Sequence, residues 1–374
     1  MKIDRGKVAL VHHWLLTMTG GERVCEAIYE IFEEKPDLFC LLADVRQLSP
    51  ALKRAFISTS FIEKLPFARK HYRYFSPLFP LAVEQLDLFP YDLVISSDSS
   101  VVKGVLTRPD ACHICYCHSP MRYAWNMSQE YLKDASGVKR LIIVLTMHYL
   151  RLFDHAAAAR VDYFVANSKT VRQRIAKYYR RNAEVIYPPC DVEKFAISPR
   201  MGDYYLCVGR LVGYKRHDVA VGAFNRSGRR LLIVGEGPED ARLKASAKKN
   251  IEFLGWVSNE TLATLYGECQ ALIFPNEEDL GLVPLEAQAS GRPVIAYGRG
   301  GALETVITDR TGLFFAEQTP EALNRAVDDF ECRAAQFDPV EIRDNALRFG
   351  KEKFKEAFKK HVERCLIDHR TRYA

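Results

Sequence analysis

The chain has 374 residues, 48% apolar and 27% charged, with a formal net charge of +6. That length predicts two domains of ordinary size, and the composition predicts globular domains with full cores. The positive excess is too mild and too dispersed for the basic stripe of a nucleic-acid binder.

The opening stretch, MKIDRGKVALVHHW, is too charged, and its apolar run too short, for a signal peptide. No run reaches the roughly 18 uninterrupted apolar residues of a membrane span. The nearest, LIIVLTMHYLRLF, is broken by His148 and Arg151. A cytoplasmic enzyme without a transmembrane helix is therefore expected.

In chain order, short apolar runs alternate with longer amphipathic stretches. KVALVHHWL, DLFCLLAD, DLVISSDSS, CHICYCHS and DYFVANS come first; YYLCVGRL, RLLIVGEGP, IEFLGWV, ALIFPN, PVIAYG and TGLFF follow. Five-residue runs separated by helical stretches predict parallel α/β sheets. Many runs end in Gly, Ser, Asn or Asp, as expected where such sheets bind ligands. The Pro-rich stretch Tyr187 to Tyr205 interrupts the alternation and reads as a hinge. Two Rossmann-like domains are expected, 1–188 and 189–351. Phe354, Phe358, Val362 and Leu366 recur every four residues, giving a final helix over about 352–374. Periodicity leaves its partner open; the first domain is the expected one.

The ten cysteines lie mostly in apolar runs and read as buried thiols. CHICYCHS contains a C-x-x-C with His113 and His118 nearby. A strand there turns Cys112 and Cys115 to opposite faces, and no second ligand pair stands elsewhere. No metal site is predicted.

Three stretches carry candidate chemistry. In HWLLTMTGGERV, Gly20 and Gly21 sit between a strand and a helix, where glycine permits close approach to phosphate or sugar, or simply makes a turn. His118 ends a predicted strand in CYCHSPMRYAW, ahead of Arg122 and Trp125. Arg210 and Lys215 lie five apart in VGRLVGYKR and could neutralise a diphosphate or belong to a basic surface loop.

NEEDLGLVPLEAQASG, residues 276–291, concentrates Glu277, Glu278, Asp279 and Glu286 around a glycine. Pro284 fits a first helical turn and Gly291 a cap, so a short helix is expected from about Pro284 to Ser290. The N–H groups of Gly281, Leu282 and Val283 then form an open, partly positive end suited to phosphate. Glu278 and Glu286 flank it. They could each grip hydroxyls of a nucleotide sugar, or cap the helix and face solvent; the residues alone leave both open.

FIEKLPFARKHYRYFSPLFPLA mixes Lys64, Arg69, Lys70 and Arg73 with Phe67, Tyr72, Tyr74 and Phe75, with no acidic residue from Lys64 to Phe75. Such a mixture suits an anionic lipid interface, or a basic helix with inward aromatics.

Glu278 and Glu286 are separated by seven residues, with Gly281 third after the first Glu. This resembles the E-x7-E motif of the retaining GT-B glycosyltransferases of family 4. The phrase PNEEDLGLVPLEAQASGRPVIAYGRGGALETV is similar to that family, most of all to its mannosyltransferase-like bacterial members. The resemblance implies an α/β GT-B fold, with two Rossmann-like domains whose parallel sheets face a central cleft. It implies an acceptor domain first and a donor-nucleotide domain second. Arg210 and Lys215 would hold the donor diphosphate, Glu286 the ribose, Glu278 the donor sugar, and His118 the sugar or acceptor. Gly20 and Gly21 would face the donor, Val257 the base by its backbone, and Arg122 and Trp125 the acceptor side. Retention, no essential metal and no cofactor are implied. Mannose from GDP-mannose is the expected donor, with a UDP-sugar as the competitor. The acceptor would be a saccharide, often polyprenyl-linked, in bacterial surface polysaccharide synthesis, which would make the enzyme peripheral on the inner face of the cytoplasmic membrane. GEGPED lacks the third glycine of a nicotinamide fingerprint, Asp240 standing there. An epimerase on the same scaffold, or a non-catalytic nucleotide-sugar sensor, remain the readings from other classes.

Overall fold

Thirteen strands pair in parallel in a computed structural model that describes residues 1, 6–133 and 135–373. The chain divides into two compact units, Met1–Pro189 with Phe354–Ala374, and Cys190–Lys353. The division falls inside the Pro-rich stretch that interrupts the strand–helix alternation.

The first unit contains β1 (Val8–His12), β2 (Asp37–Cys40), β3 (Ile57–Thr59), β4 (Leu93–Asp98), β5 (Cys112–Cys117), β6 (Tyr163–Ala166) and β7 (Ala183–Val185). Their order is β3-β2-β1-β4-β5-β6-β7. β1, β4 and β5 are buried along their whole length, and the apolar starts of β1 and β4, VALV and LVI, supply the readable runs, while His12, Ser96, Ser97 and Asp98 are buried at their carboxyl ends. β3 and β7 are three-residue edge strands without a fully buried residue, and their sequences carry no such signal. The last helix, Lys351–Tyr373, buries Phe354, Phe358, Val362 and Cys365 in the same core cluster as Leu10, Ile114 and Tyr116. Leu366, placed in that stripe by periodicity, is only partly buried.

The second unit contains β8 (Tyr204–Val208), β9 (Arg230–Val234), β10 (Ile251–Gly255), β11 (Leu272–Phe274), β12 (Val294–Tyr297) and β13 (Gly312–Phe315), ordered β10-β9-β8-β11-β12-β13. Each sheet runs outward one way from its first strand and then restarts on the other side. The switch points lie between β1 and β4, and between β8 and β11. In open parallel sheets the loops leaving the carboxyl ends of those strand pairs form the ligand crevice.

Two expectations need correction. The apolar run broken by His148 and Arg151 folds as one helix, Gly137–Ala157. Through Arg160 it is long and apolar enough, by length and composition, to cross a membrane. His148 and Arg151 do not end it, because both residue types are good or tolerable in helices. Second, FIEKLPFARKHYRYFSPLFPLA is not one basic helix. It breaks into short turns, Phe61–Lys64, Ala68–His71, Tyr72–Leu78 and Phe79–Glu84, with Phe67 in the left-handed region at φ 55°. Tyr72 and Phe75 pack on a core cluster, whereas Phe67 and Tyr74 are 79% and 82% exposed.

Candidate active site

In the second unit the site grows from the switch point. β8 ends at Val208 and delivers Gly209 and Arg210; a turn, Gly213–Lys215, then carries Lys215. Its neighbour β11 ends at Phe274 and delivers Asn276 to Asp279. The two loops meet: Lys215 Nζ donates to Glu278 Oε1, an ion pair whose side chains are both mostly buried. Arg210 is exposed at the same strand end.

Glycines shape both loops. Gly235 sits at φ 130°, and a Cβ there would collide with the carbonyl of Gly209; one on Gly237 would collide with that of Leu211. Leu211 N–H donates to Glu236 O at 3.0 Å and Glu239 N–H to Leu211 O at 3.1 Å. The G-x-G turn therefore clamps the arginine-bearing loop by backbone contact. On the other side, Gly301 N–H donates to Glu278 O at 2.8 Å, and a Cβ on Gly301 would strike Leu280. Gly300 and Gly301, which follow β12, were not singled out in the sequence; glycines at a strand end were the available signal.

The short helix spans Leu282–Ala289, not Pro284 to Ser290. Gly281, at φ 87°, turns the chain so sharply that Leu282 and Val283 already have helical geometry. Gly281 itself has no side chain with which to cap this N-terminus. Pro284 has no N–H, so the open end offers the N–H groups of Gly281, Leu282 and Val283. Gly291 follows the last turn at φ 74°, the left-handed C-terminal geometry its sequence position predicts.

Glu286 leaves this helix half-buried, and its Oε2 accepts from the Tyr266 hydroxyl at 2.9 Å. Tyr266 is fully buried on the helix Asn259–Glu268. Sequence reasoning missed it, because nothing in a helical tyrosine twenty residues away marks it as a carboxylate's anchor. Val257 is half-buried just beyond β10, beside Trp256, which is 77% exposed. Glu277 is exposed and Asp279 half-buried.

The first unit gathers a different set at its own switch point. Gly20 and Gly21 open the helix Gly20–Glu30, whose Thr19 cap donates through N–H and Oγ1 to Glu22 Oε2 at 3.1 and 2.5 Å. A Cβ on Gly21 would lie 3.5 Å from His12 Cε1 and 3.9 Å from His118 Nε2. His118 Nε2 is 2.8 Å from Ser97 Oγ, and the His118 backbone N–H donates to Asp98 O at 2.7 Å. Burial, with the nearby His13 second, lowers the His118 pKa to about 3, so its imidazole is neutral. It can donate to or accept from a hydroxyl but carries no charge. His113, by contrast, is fully buried with Nε2 2.8 Å from Ser96 Oγ and has a structural part.

His12 ends β1 and His13 follows it, and both were also missed. Both are buried, their ring centroids lie 4.0 Å apart at a 37° tilt, and burial lowers both pKa values, that of His13 to about 4. Both ring nitrogens of His12 and Nδ1 of His13 lack a hydrogen bond among the described residues. Orphaned buried polar atoms at a strand end are natural partners for a hydroxyl-rich ligand. Two histidines closing the first strand, VALVHH, were the readable signal.

Arg122 is half-buried. Trp125 is committed to structure: its indole N–H donates to Asp154 Oδ2 at 2.7 Å and its ring stacks on Tyr178. Asp154 in turn pairs with buried Lys103, which also pairs with Asp98 at 3.1 Å. Lys64, Phe67, Arg69, Lys70 and Arg73 are all exposed, Arg69 pairing with Glu63. Cys112 and Cys115 belong to different core clusters, as opposite strand faces require. Cys112, Asp162 and His369 do bring possible metal-ligand atoms within 4.8 Å. Burial pushes the Cys112 thiol well up, Asp162 accepts from the His113 backbone N–H at 2.8 Å, and His369 Nε2 lies 3.1 Å from Asp110 O, so the carboxylate and the imidazole are engaged in other hydrogen bonds.

Two doubly wound parallel sheets, each with polar loops at its switch point, define a GT-B glycosyltransferase fold. A structure of Anabaena HepE in complex with UDP and glucose matches 96% of this chain and 100% of its own, at TM-score 0.70 and 15% identity. A family model described as Glycosyltransferase Family 4 matches residues 31–194, and one described as Glycosyl transferases group 1 matches residues 191–336. The chain belongs to this family of glycosyltransferases. It is 24% identical over 350 residues to the alpha-1,3/1,6-mannosyltransferase of Kluyveromyces lactis, covering 76% of this chain and 67% of that one. It is 30% identical over 194 residues to a GDP-mannose-dependent alpha-(1-6)-phosphatidylinositol monomannoside mannosyltransferase of Mycolicibacterium smegmatis, covering 43% and 51%. In the second of these alignments the chain spans about half the length of its relative.

Proposed function

We propose that this chain transfers mannose from GDP-mannose, with retention, to a saccharide acceptor carried on a lipid. The observation that carries the donor half is the glycine-started helix end at Leu282, flanked by Glu278 with Lys215 on one side and Glu286 with Tyr266 on the other. A diphosphate suits that end, because three N–H groups and the cations Lys215 and Arg210 offset its charge. Glu286 accepts from the ribose hydroxyls, held in place by Tyr266. Glu278 orients the donor sugar. The mannosyltransferases among the relatives support mannose, and the GDP-mannose dependence of the Mycolicibacterium smegmatis relative supports guanine.

The reaction exchanges one bond at the anomeric carbon for another on the same face. The bond to the diphosphate oxygen breaks, the bond to the acceptor oxygen forms, and the acceptor proton passes to the departing phosphate oxygen. His118, neutral and bonded to Ser97, is assigned to sugar or acceptor hydroxyls. No step requires a metal, so full activity in a chelator belongs to the reading. We place the enzyme on the cytoplasmic side of a membrane, in surface polysaccharide synthesis, with Lys64, Phe67, Arg69, Lys70 and Arg73 toward anionic lipid.

A thermal-shift panel of GDP- and UDP-sugars tests the donor, because a ligand stabilises only the state it binds. Stabilisation by GDP-mannose above UDP-sugars is expected; the reverse order transfers the reading to a UDP-sugar. Epimerised donor formed without acceptor, or donor binding with neither hydrolysis nor transfer, overturns it.

A further inference from the structure

The helix Gly137–Ala157 is apolar on two opposite sides. Its inner side buries Met147, Leu150, Asp154 and Ala157. Its outer side exposes Val138, Leu141, Ile142, Leu145, Tyr149 and Leu152, with relative exposures from 44% to 74%. These six recur at steps of three and four, so they form one stripe about 20 Å long at 1.5 Å per residue. A soluble helix ordinarily turns charged residues outward along such a stripe.

We propose that this stripe inserts into the headgroup–acyl boundary of an anionic bilayer, with the helix lying in the membrane plane. The proposal rests on the membrane-facing reading of residues 64–75 and adds the element that enters the lipid. Two observations select this occupant. The helix packs against the turn Tyr72–Leu78, so exposed Tyr74 and Leu78 belong to a neighbouring element of the same unit, and exposed Phe67 precedes them. The patch is basic: Lys64, Lys70, Arg73, Lys139 and Arg140 are exposed, and the sequences 64–83 and 136–153 contain no acidic residue. That charge complements anionic lipid, whereas a second copy docked on the same stripe would confront like charges.

The helix lies on the bilayer rather than across it because of its inner face. Asp154 pairs there with fully buried Lys103 and accepts from Trp125 and Tyr179. Drawing the helix out to span would strand those charges. Arg151 Nε donates to Ala124 O at 2.9 Å, so the same helix also grips the segment that follows His118. Docking this surface holds the acceptor-side residues near the plane from which a lipid-carried saccharide comes.

Co-sedimentation of the full chain with phosphatidylcholine and with mixed phosphatidylcholine–phosphatidylglycerol vesicles tests this. Leu141→Gln, Leu145→Gln and Leu152→Gln together keep helix propensity and touch only exposed positions. We expect this triple variant to lose at least about tenfold in partitioning to the mixed vesicles, with an unchanged circular-dichroism spectrum and melting temperature showing that it is folded. As a second measurement, Leu145→Trp in the otherwise native chain should gain fluorescence that brominated lipid in the mixed vesicles quenches. Wild-type partitioning by the triple variant, with no quenching at position 145, overturns the inference. If a Lys64, Lys70 and Arg73 charge-removal variant then still loses binding, the membrane reading survives without this helix. If wild type binds neither vesicle, both fail. A wild-type dimer that the triple variant converts to monomer overturns the lipid occupant in favour of a second copy.

Discussion

Lys215 and Glu278, 63 residues apart in the chain, are ion-paired across the switch point of the second sheet. The pair joins two groups assigned to opposite tasks, one to the diphosphate and one to the sugar. A diphosphate arriving at the helix end competes with Glu278 for Lys215. Removing Glu278 should therefore release the cation. Glu278→Ala is expected to lower kcat by about 10²–10³-fold while nucleoside-diphosphate affinity holds or rises. Lys215→Ala should weaken that affinity by about tenfold or more. Calorimetry with GDP and single-turnover kinetics separate the two; equal losses of affinity in both variants would sink this division.

Glu286 depends on Tyr266. Tyr266→Phe removes one hydrogen bond and leaves the carboxylate in place, so donor affinity should fall by about fivefold, corresponding to about 1 kcal/mol. Glu286→Ala should weaken binding further and also strand the buried hydroxyl. If Tyr266→Phe changes stability but leaves donor Kd untouched, the tyrosine only packs and does not orient.

Gly301 holds the carboxylate loop by contact. Gly301→Ala forces a methyl into Leu280, and overpacking of that kind costs about 1–3 kcal/mol. The thermal shift produced by donor should disappear with it, because Glu278 moves with the loop. Gly228→Ala is the control: φ 74° strains it, yet nothing lies within 4 Å, so it should cost about 1 kcal/mol and leave donor binding intact.

Acid should destabilise the fold well before carboxylates titrate. Burial lowers His13 and His113 to about 4 and His118 to about 3. Below about pH 6.5 the unfolded chain takes up protons that these folded imidazoles refuse, so stability falls as pH drops from that value toward about 4. Each deeply buried imidazole contributes up to about 2 kcal/mol at pH 5. Glu22, raised by burial, acts with the opposite sign. The melting temperature should therefore decline between pH 7 and pH 5, and His113→Asn should flatten the decline. A melting temperature constant across that range contradicts the neutral, buried state of these residues.

Strand starts such as VALV and LVI declare themselves because central parallel strands are buried on both faces; the polar residues that follow them in β1 and β4 are buried at the strand ends that face the candidate site. The short helix was legible, though its start was read two residues late, because glycine and proline fix backbone angles locally. Chemistry confined to one loop could likewise be read: the E-x7-E spacing, and the Arg210–Lys215 turn. The outer stripe of Gly137–Ala157 was overlooked because apolar composition alone does not tell which side of a helix is covered. His12 and His13 were overlooked because β1 ends in residues that look ordinary until β4 and β5 bring Ser97 and His118 beside them.

Local backbone preference and two-sided burial, then, are written in the chain itself, and they determined the parallel α/β class, the Pro-rich break in the alternation and the glycine-shaped helix end. Tertiary structure alone decided that Lys215 meets Glu278, that Tyr266 anchors Glu286, and that Gly301 supports the carboxylate loop. Each of these is a contact between segments that strand order makes neighbours. Strand order depends on how the whole sheet buries its surface, which no short stretch of sequence encodes.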